Sequence, residues 1–197
     1  MIPSLLAILI AITVHEFSHA WMANYLGDPT AKLEGRLSLN PLVHIDPIGF
    51  IMLLLVHFGW AKPVPYNPNY LKNPRTGSLL IALAGPISNF VLALIFSIPL
   101  KYISPDHFLI DFFLLSVLIN IGLMVFNLLP IPPLDGSKVL AFFIPAKYNR
   151  ELEAFFAKGP LILFGIIILE QVFHIGIISP LIIGIMQKIA ILMGIMS

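Results

Sequence analysis

The sequence has no cysteine and very little charge. Without cysteine, disulfides, thiolate metal sites and a cysteine nucleophile are excluded together, and any metal must fall to His, Asp or Glu. Only 11% of the 197 residues are charged, against about 25% in a soluble domain. That is too little polar surface to wrap a water-soluble globule. Net charge is +1, which gives nucleic acid no basic surface to bind. The N-terminus also lacks a basic n-region and a small-residue cleavage site. Its first apolar stretch is therefore expected to be a retained helix and not a signal peptide.

What remains is apolar. Hydrophobic residues make up 58% of the chain and mean hydropathy is +0.96, the composition of an integral membrane protein. Ile2 to about Leu26 reads as a helix, interrupted by polar residues at His15, Glu16, Ser18 and His19. A loop follows to Pro47. Within it, residues 32–39 alternate polar and apolar around Gly35, which predicts a short β-hairpin. Ile48–Phe58 is apolar but too short to cross, so it is expected to dip into the bilayer and return. Residues 61–77 read as a loop, Leu79–Leu100 and Leu109 to about Ile131 as spans, and Ser137–Lys158 as a loop with a short helix. Pro130, Pro132 and Pro133 should break the end of the second of these spans. Residues 159–196 should hold two short helices that turn between Glu170 and Pro180. The expected fold is thus an all-α polytopic membrane protein: about five transmembrane helices, a re-entrant segment and a short hairpin. It forms one integral-membrane domain over 1–197.

Charge placement orients this plan. Lys32, Arg36, Lys62, Lys72, Arg75, Lys138, Lys147, Arg150 and Lys158 fall on one side and Lys101 alone on the other, with Lys188 in the last helix left uncounted. Positive residues mark the cytoplasmic face, so the first residue is expected outside.

His15-Glu16-Phe17-Ser18-His19 is an H-E-x-x-H pattern on a predicted helix. Residues at i and i+4 share a face, so two imidazoles can point at one zinc. Glu16 between them can take a proton from an attacking water and pass it to a leaving amine. In soluble chains the pattern also arises by chance. Within an apolar helix three ionisable groups are costly, which leaves a metal site or a buried polar network. A third ligand should be a carboxylate or His at the same depth. Asp135, after the proline break, is a candidate, and spacing alone equally allows a turn at Asp135-Gly136. His44 and Asp46 could support or gate such a site, or could cap their own turn. Asn89, beside Ala84 and Gly85, suits an interhelical hydrogen bond. Glu170, His57 and His174 lie near span boundaries and suggest no function.

The segments HEFSHA (15–20), GDPTAKLEGRLSLNPLVHIDPIG (27–49), AKPVPYNP (61–68), AGPISN (84–89) and FNLLPIPPLDGSKVL (126–140) together resemble the site-2 protease family of intramembrane zinc metalloproteases, in a minimal form with no segment long enough for a PDZ domain. The resemblance covers about residues 10–145 and implies a catalytic core over roughly 1–145, with C-terminal helices over 159–196. It implies one Zn2+ held by His15, His19 and Asp135, Glu16 as the group that activates water, and Asn127 as an oxyanion- or substrate-positioning residue. It further implies regulated cleavage of transmembrane protein substrates in the cell membrane of a prokaryote, with the site toward the cytoplasmic side. The partners are then those substrates and the lipid bilayer; no feature specifies an oligomeric state. The rival readings are an inactive relative, or a metal transporter or sensor that uses the same cluster.

Overall fold

A computed structural model describes residues 2–56, 59–104 and 106–195. Its helices are α1 (Ile2–Tyr25), α2 (Thr30–Leu33), α3 (Pro47–Val56), α4 (Pro74–Leu100), α5 (Ile110–Asn127), α6 (Asp135–Phe143), α7 (Asn149–Phe173) and α8 (Ser179–Leu192). Among the described residues, four stretches are long and apolar enough to cross a bilayer: α1, α4, α5, and Ala146–Phe173, which contains α7. At 1.5 Å per residue the 14-residue α8 is about 21 Å long, short of the ~30 Å hydrocarbon layer. The protein is an all-α polytopic membrane protein, with four full-length spans and a shorter apolar helix.

The packing follows from where the small residues recur. On α1 the buried positions include Ala7, Ala11, His15, His19 and Ala23, one every four residues. On α4 they include Gly77, Ile81, Gly85, Asn89, Ala93 and Ser97, at the same interval. Lipid offers no hydrophobic drive between helices, so close approach through small side chains and interhelical hydrogen bonds must hold them together. These two stripes pack α1 on α4, and α5 packs against both. Val117, Ile121 and Val125 of α5 form a core with Ala93 of α4 and with Ile182, Met186 and Ile189 of α8. A second core joins Leu129 and Leu134 to Leu163 of α7 and to Ile178. The outward faces of α4 and α7 expose Ile87, Val91, Ile95, Leu161, Phe164 and Ile168, as lipid-facing surfaces should.

Several boundaries depart from expectation. No hairpin forms over residues 32–39. Asp28 Oδ1 accepts from Thr30 N at 3.0 Å and Thr30 Oγ1 at 2.5 Å, which starts a helical turn, α2, where a strand was expected. Gly35, at φ +69°, ends it, and Arg36 N donates back to Ala31 O at 2.8 Å. Alternation over eight residues lost to an Asp28 side-chain turn that leads into helix. The described residues contain one isolated antiparallel bridge, Ile45 with Ala61. Helix α4 begins at Pro74, inside the expected loop, because Asn73 accepts from Thr76 N and proline suits a first helical turn. The stretch expected as a loop to Lys158 is mostly helical, with α6 over 135–143 and α7 from Asn149. Helix α5 ends at Asn127, ahead of the prolines, and the last turn falls between Phe173 and Ser179.

The re-entrant segment also has a visible cause. Helix α3 has 10 residues, about 15 Å, half the hydrocarbon thickness. The chain then comes back beside its own entry. Lys62 N donates to His44 O at 2.8 Å, and a Cβ on Gly49 would lie 2.2 Å from Trp60 O. Only glycine permits that contact. The far end of the expected segment, His57 and Phe58, lies outside the described residues.

Candidate metal centre

Helix α1 carries His15 and His19 into its interface with α4, about 15 Å and 9 Å from its Tyr25 end at 1.5 Å per residue. Their Nε2 atoms are 3.0 Å apart. Asp135, the first residue of α6, reaches them from across the bundle: its Oδ2 lies 3.2 Å from His15 Nε2 and 3.1 Å from His19 Nε2. All three residues are buried. Residues 120 positions apart in sequence thus meet at one point, and among the described residues this is the one group of three or more His, Cys, Asp or Glu close enough to share an ion.

Two glycines make the meeting sterically feasible. A Cβ on Gly85 would lie 2.5 Å from His19 Nε2 and 2.6 Å from His15 Nε2, so a bare backbone on α4 is what lets both rings stand there. A Cβ on Gly136 would lie 2.2 Å from Leu128 O, so the first turn of α6 folds back onto the end of α5 only with glycine after Asp135. The intervening loop, with a cis Pro132–Pro133 bond, rests against α7, where Gly159 leaves room for Pro132.

Proton bookkeeping defines what the cluster can hold. His19 Nδ1 lies 2.6 Å from Ile81 O. A carbonyl only accepts, so Nδ1 is the donor and the neutral ring keeps a lone pair at Nε2. His15 Nδ1 lies 2.6 Å from Asn89 Oδ1, and Asn89 Nδ2 donates to Ala11 O at 3.2 Å, so His15 too donates from Nδ1. Asp135 Oδ2 is buried without a hydrogen-bond partner. With both rings neutral, three lone pairs converge at one point with no proton between them, an arrangement that suits a cation. The separations of 3.0, 3.1 and 3.2 Å are close to the ~3.3 Å edge of a tetrahedron with metal–ligand bonds of about 2.0 Å. The residues fit a zinc-sized ion, and they could hold one. Lys138 Nζ, 4.0 Å from Asp135 Oδ1 and over the Tyr66 ring at 5.3 Å, adds a positive charge on the far oxygen.

Glu16 and Asn127 line a cavity of about 390 Å3 that also reaches His15, Trp60, Pro133 and Leu163. Asn127 Nδ2 donates one hydrogen to Leu123 O at 3.0 Å, which leaves its second N–H for another acceptor. His44 and Asp46 do not join the cluster. Asp46 Oδ1 accepts from Ile48 N and Gly49 N, both at 2.9 Å, and caps α3. His44, fully buried, bonds Ser38 O at 2.7 Å through Nε2 and lines an adjoining apolar cavity of about 370 Å3. Asn89 makes the interhelical hydrogen bonds its setting suggested, and in addition orients His15. Gly85 and Asn120 were missed. Their signals were a glycine on the four-residue stripe of α4 and a lone amide within an apolar span. Glu170, given no function from sequence, caps α8: its Oε1 accepts from Ile177 N, Ile178 N and Ser179 N, and its Oε2 from Ser179 Oγ.

The model of peptidase family M50 matches residues 3–108 and 102–170. The chain is similar to the "Putative zinc metalloprotease" proteins YwhC of Bacillus subtilis, at 40% identity over 71% of this chain and 68% of that one, and MJ0611 of Methanocaldococcus jannaschii, at 36% over 71% and 69%. Rip2 of Mycolicibacterium smegmatis is 33% identical over 73% of the chain, which spans only 58% of that relative. No solved structure gives a significant match. With the family model covering most of its length, this chain belongs to peptidase family M50, the site-2 protease family.

Proposed function

We propose that the protein is an intramembrane zinc metalloendopeptidase that hydrolyses peptide bonds within or near transmembrane segments of membrane-protein substrates. His15, His19 and Asp135 hold one zinc, Glu16 is the base, and Asn127 positions the substrate carbonyl. The observation that carries this reading is the convergence of three buried ligand atoms at tetrahedral spacing. A zinc ion bound there supplies Lewis acidity, drawing charge from a carbonyl oxygen and lowering the pKa of water.

The chain's own residues supply the rest. Glu16 opens on the same cavity as His15, so its carboxylate can take a proton from water and return it to the leaving amine. Asn127 lines that cavity, and its second N–H can donate to a carbonyl oxygen as charge builds on it. Apolar walls from α5 and α7, including Leu123, Phe164 and Ile167, suit an apolar segment and exclude bulk water. A substrate helix hides its carbonyls in i→i−4 bonds, so it must unwind before it enters. The solitary ligand group among the described residues favours a reaction centre over a conduit, which needs polar residues along its length.

Orientation is part of the proposal. The lysine and arginine distribution supports a reading with the loops before α4 and after α5 in the cytoplasm and residue 1 outside, with regulated proteolysis of membrane-anchored substrates as the role and a prokaryotic cell membrane as the setting.

The deciding experiment measures zinc per chain in detergent-purified protein. About one zinc in wild type, lost in His19→Ala and in Asp135→Ala, is expected. Glu16→Gln should keep the metal and abolish cleavage of a membrane-embedded model substrate. Wild type without zinc after metal is supplied would overturn the assignment, and cleavage by Glu16→Gln would remove Glu16 from it.

A further inference from the structure

Asn120 is fully buried on α5, a helix that supplies no ligand to the cluster. An amide inside an apolar span is retained only where its polar atoms are bonded, and its bonds run in one direction. Its Nδ2 donates to Ser116 O, on its own helix, at 2.8 Å. That carbonyl can only accept, so Asn120 must turn its Oδ1 the other way. There it accepts from Asn89 Nδ2 at 2.9 Å. The Asn89 amide also donates to Ala11 O at 3.2 Å, so both hydrogens on its nitrogen are used and its Oδ1 is left to accept from His15 Nδ1 at 2.6 Å. The row crosses three helices, from Ser116 through Asn120 and Asn89 to His15. Its polarity is set by two backbone carbonyls, which cannot reverse.

We infer that Asn120 is a positioning residue for the metal centre: acting through Asn89, it holds His15 in the tautomer that donates from Nδ1 and presents a bare Nε2 to the ion. Partners behind a ligating histidine fix its tautomer and ring orientation, and their loss weakens metal binding about 10- to 100-fold. One amide does this work at many sites. Rotating the Asn89 amide by half a turn would put N–H groups against His15; the long contact to Ala11 O opposes that rotation, and the shorter one to Asn120 Oδ1 opposes it further. The inference rests on the zinc reading above.

A mere packing role for Asn120 predicts a loss of stability without a specific loss of metal. The test is zinc affinity by competition with a chromophoric chelator, on the full chain in detergent, for wild type, Asn89→Leu, Asn120→Leu and the double variant. Each single variant should bind zinc about tenfold or more weakly. The double variant should be no weaker than Asn89→Leu, since Asn120 acts only through Asn89. Asn120→Asp, which as the neutral acid offers the same acceptor and donor, should restore affinity to near wild type, and the cobalt-substituted spectrum should follow the same order. If Asn120→Leu does not fold, Asn120→Ser, too short to reach Asn89, takes its place. Wild-type affinity in the variant that breaks the contact, or additive losses in the double variant, would overturn the role of Asn120 and leave the zinc reading standing. Wild type that binds no zinc would overturn both.

Discussion

A glycine decides whether the histidines of α1 can face an ion at all. Gly85 sits where a methyl group would come within 2.6 Å of both imidazoles, a distance no side chain tolerates. Gly85→Ala should therefore cost zinc binding about tenfold or more, because both rings must swing aside to clear the methyl group; the higher helix propensity of alanine, about 0.5–1 kcal/mol, offsets part of that strain. The check pairs zinc affinity with thermal unfolding of the metal-free protein: weaker binding in a protein that still unfolds cooperatively is expected. The H-E-x-x-H pattern was plain in the sequence, since its i, i+4 spacing is a local property of one helix. The opposing glycine was not, because nothing within α4 says which of its small residues meets a histidine.

Among the elements, α6 matters most, since it begins with Asp135. Its far end is held by Arg75 of α4, whose Nε donates to Phe142 O at 3.0 Å and whose Nη2 donates to Ile144 O at 2.7 Å, with the guanidinium over the Phe142 ring. Carbonyls at a helix C-terminus lack internal partners and carry negative charge, which Arg75 meets. Arg75→Ala should destabilise the protein by about 1 kcal/mol and raise amide exchange in α6; Arg75→Lys should not rescue it, because one ammonium cannot reproduce the fork. Unchanged exchange in α6 would show that the clamp is incidental. At the other end of the chain, Glu170 gathers three backbone N–H groups at the start of α8. Glu170→Ala should lower stability by about 1 kcal/mol, read as a drop in Tm in detergent. Both clamps act through backbone atoms of another element, which side-chain patterns do not reveal, and so neither leaves a signature in the sequence.

At the scale of the whole molecule, the prediction concerns its sense in the bilayer. The aromatic residues Trp21, Tyr25, Tyr70 and Tyr148 lie exposed where α1 ends, α4 begins and α7 begins, one interface by connectivity, and Tyr102 lies exposed past the other end of α4. Such residues settle at headgroup depth. The absence of cysteine makes the orientation directly measurable. In intact cells a membrane-impermeant maleimide should label Tyr102→Cys, and should label Lys72→Cys only after permeabilisation. The reverse pattern would invert the topology and place the loop that carries Asp135 outside.

The sequence by itself determined the membrane class, the short α3, the proline-ended α5 and the two-histidine turn of α1. Each depends on composition or on neighbours within a few residues. It could not determine whether residues 32–39 pair as strands, because an Asp28 carboxylate that caps Thr30 outweighed a weak alternation. Nor could spacing alone distinguish Asp135 as a ligand from Asp135 as a turn residue. The tertiary structure alone brought that carboxylate within 3.2 Å of the histidines and ran the amide row from α5 through α4 to α1. These depend on how four-residue stripes of small side chains set helices side by side. Contact between stripes is a property of surfaces, and no single stretch of chain encodes it.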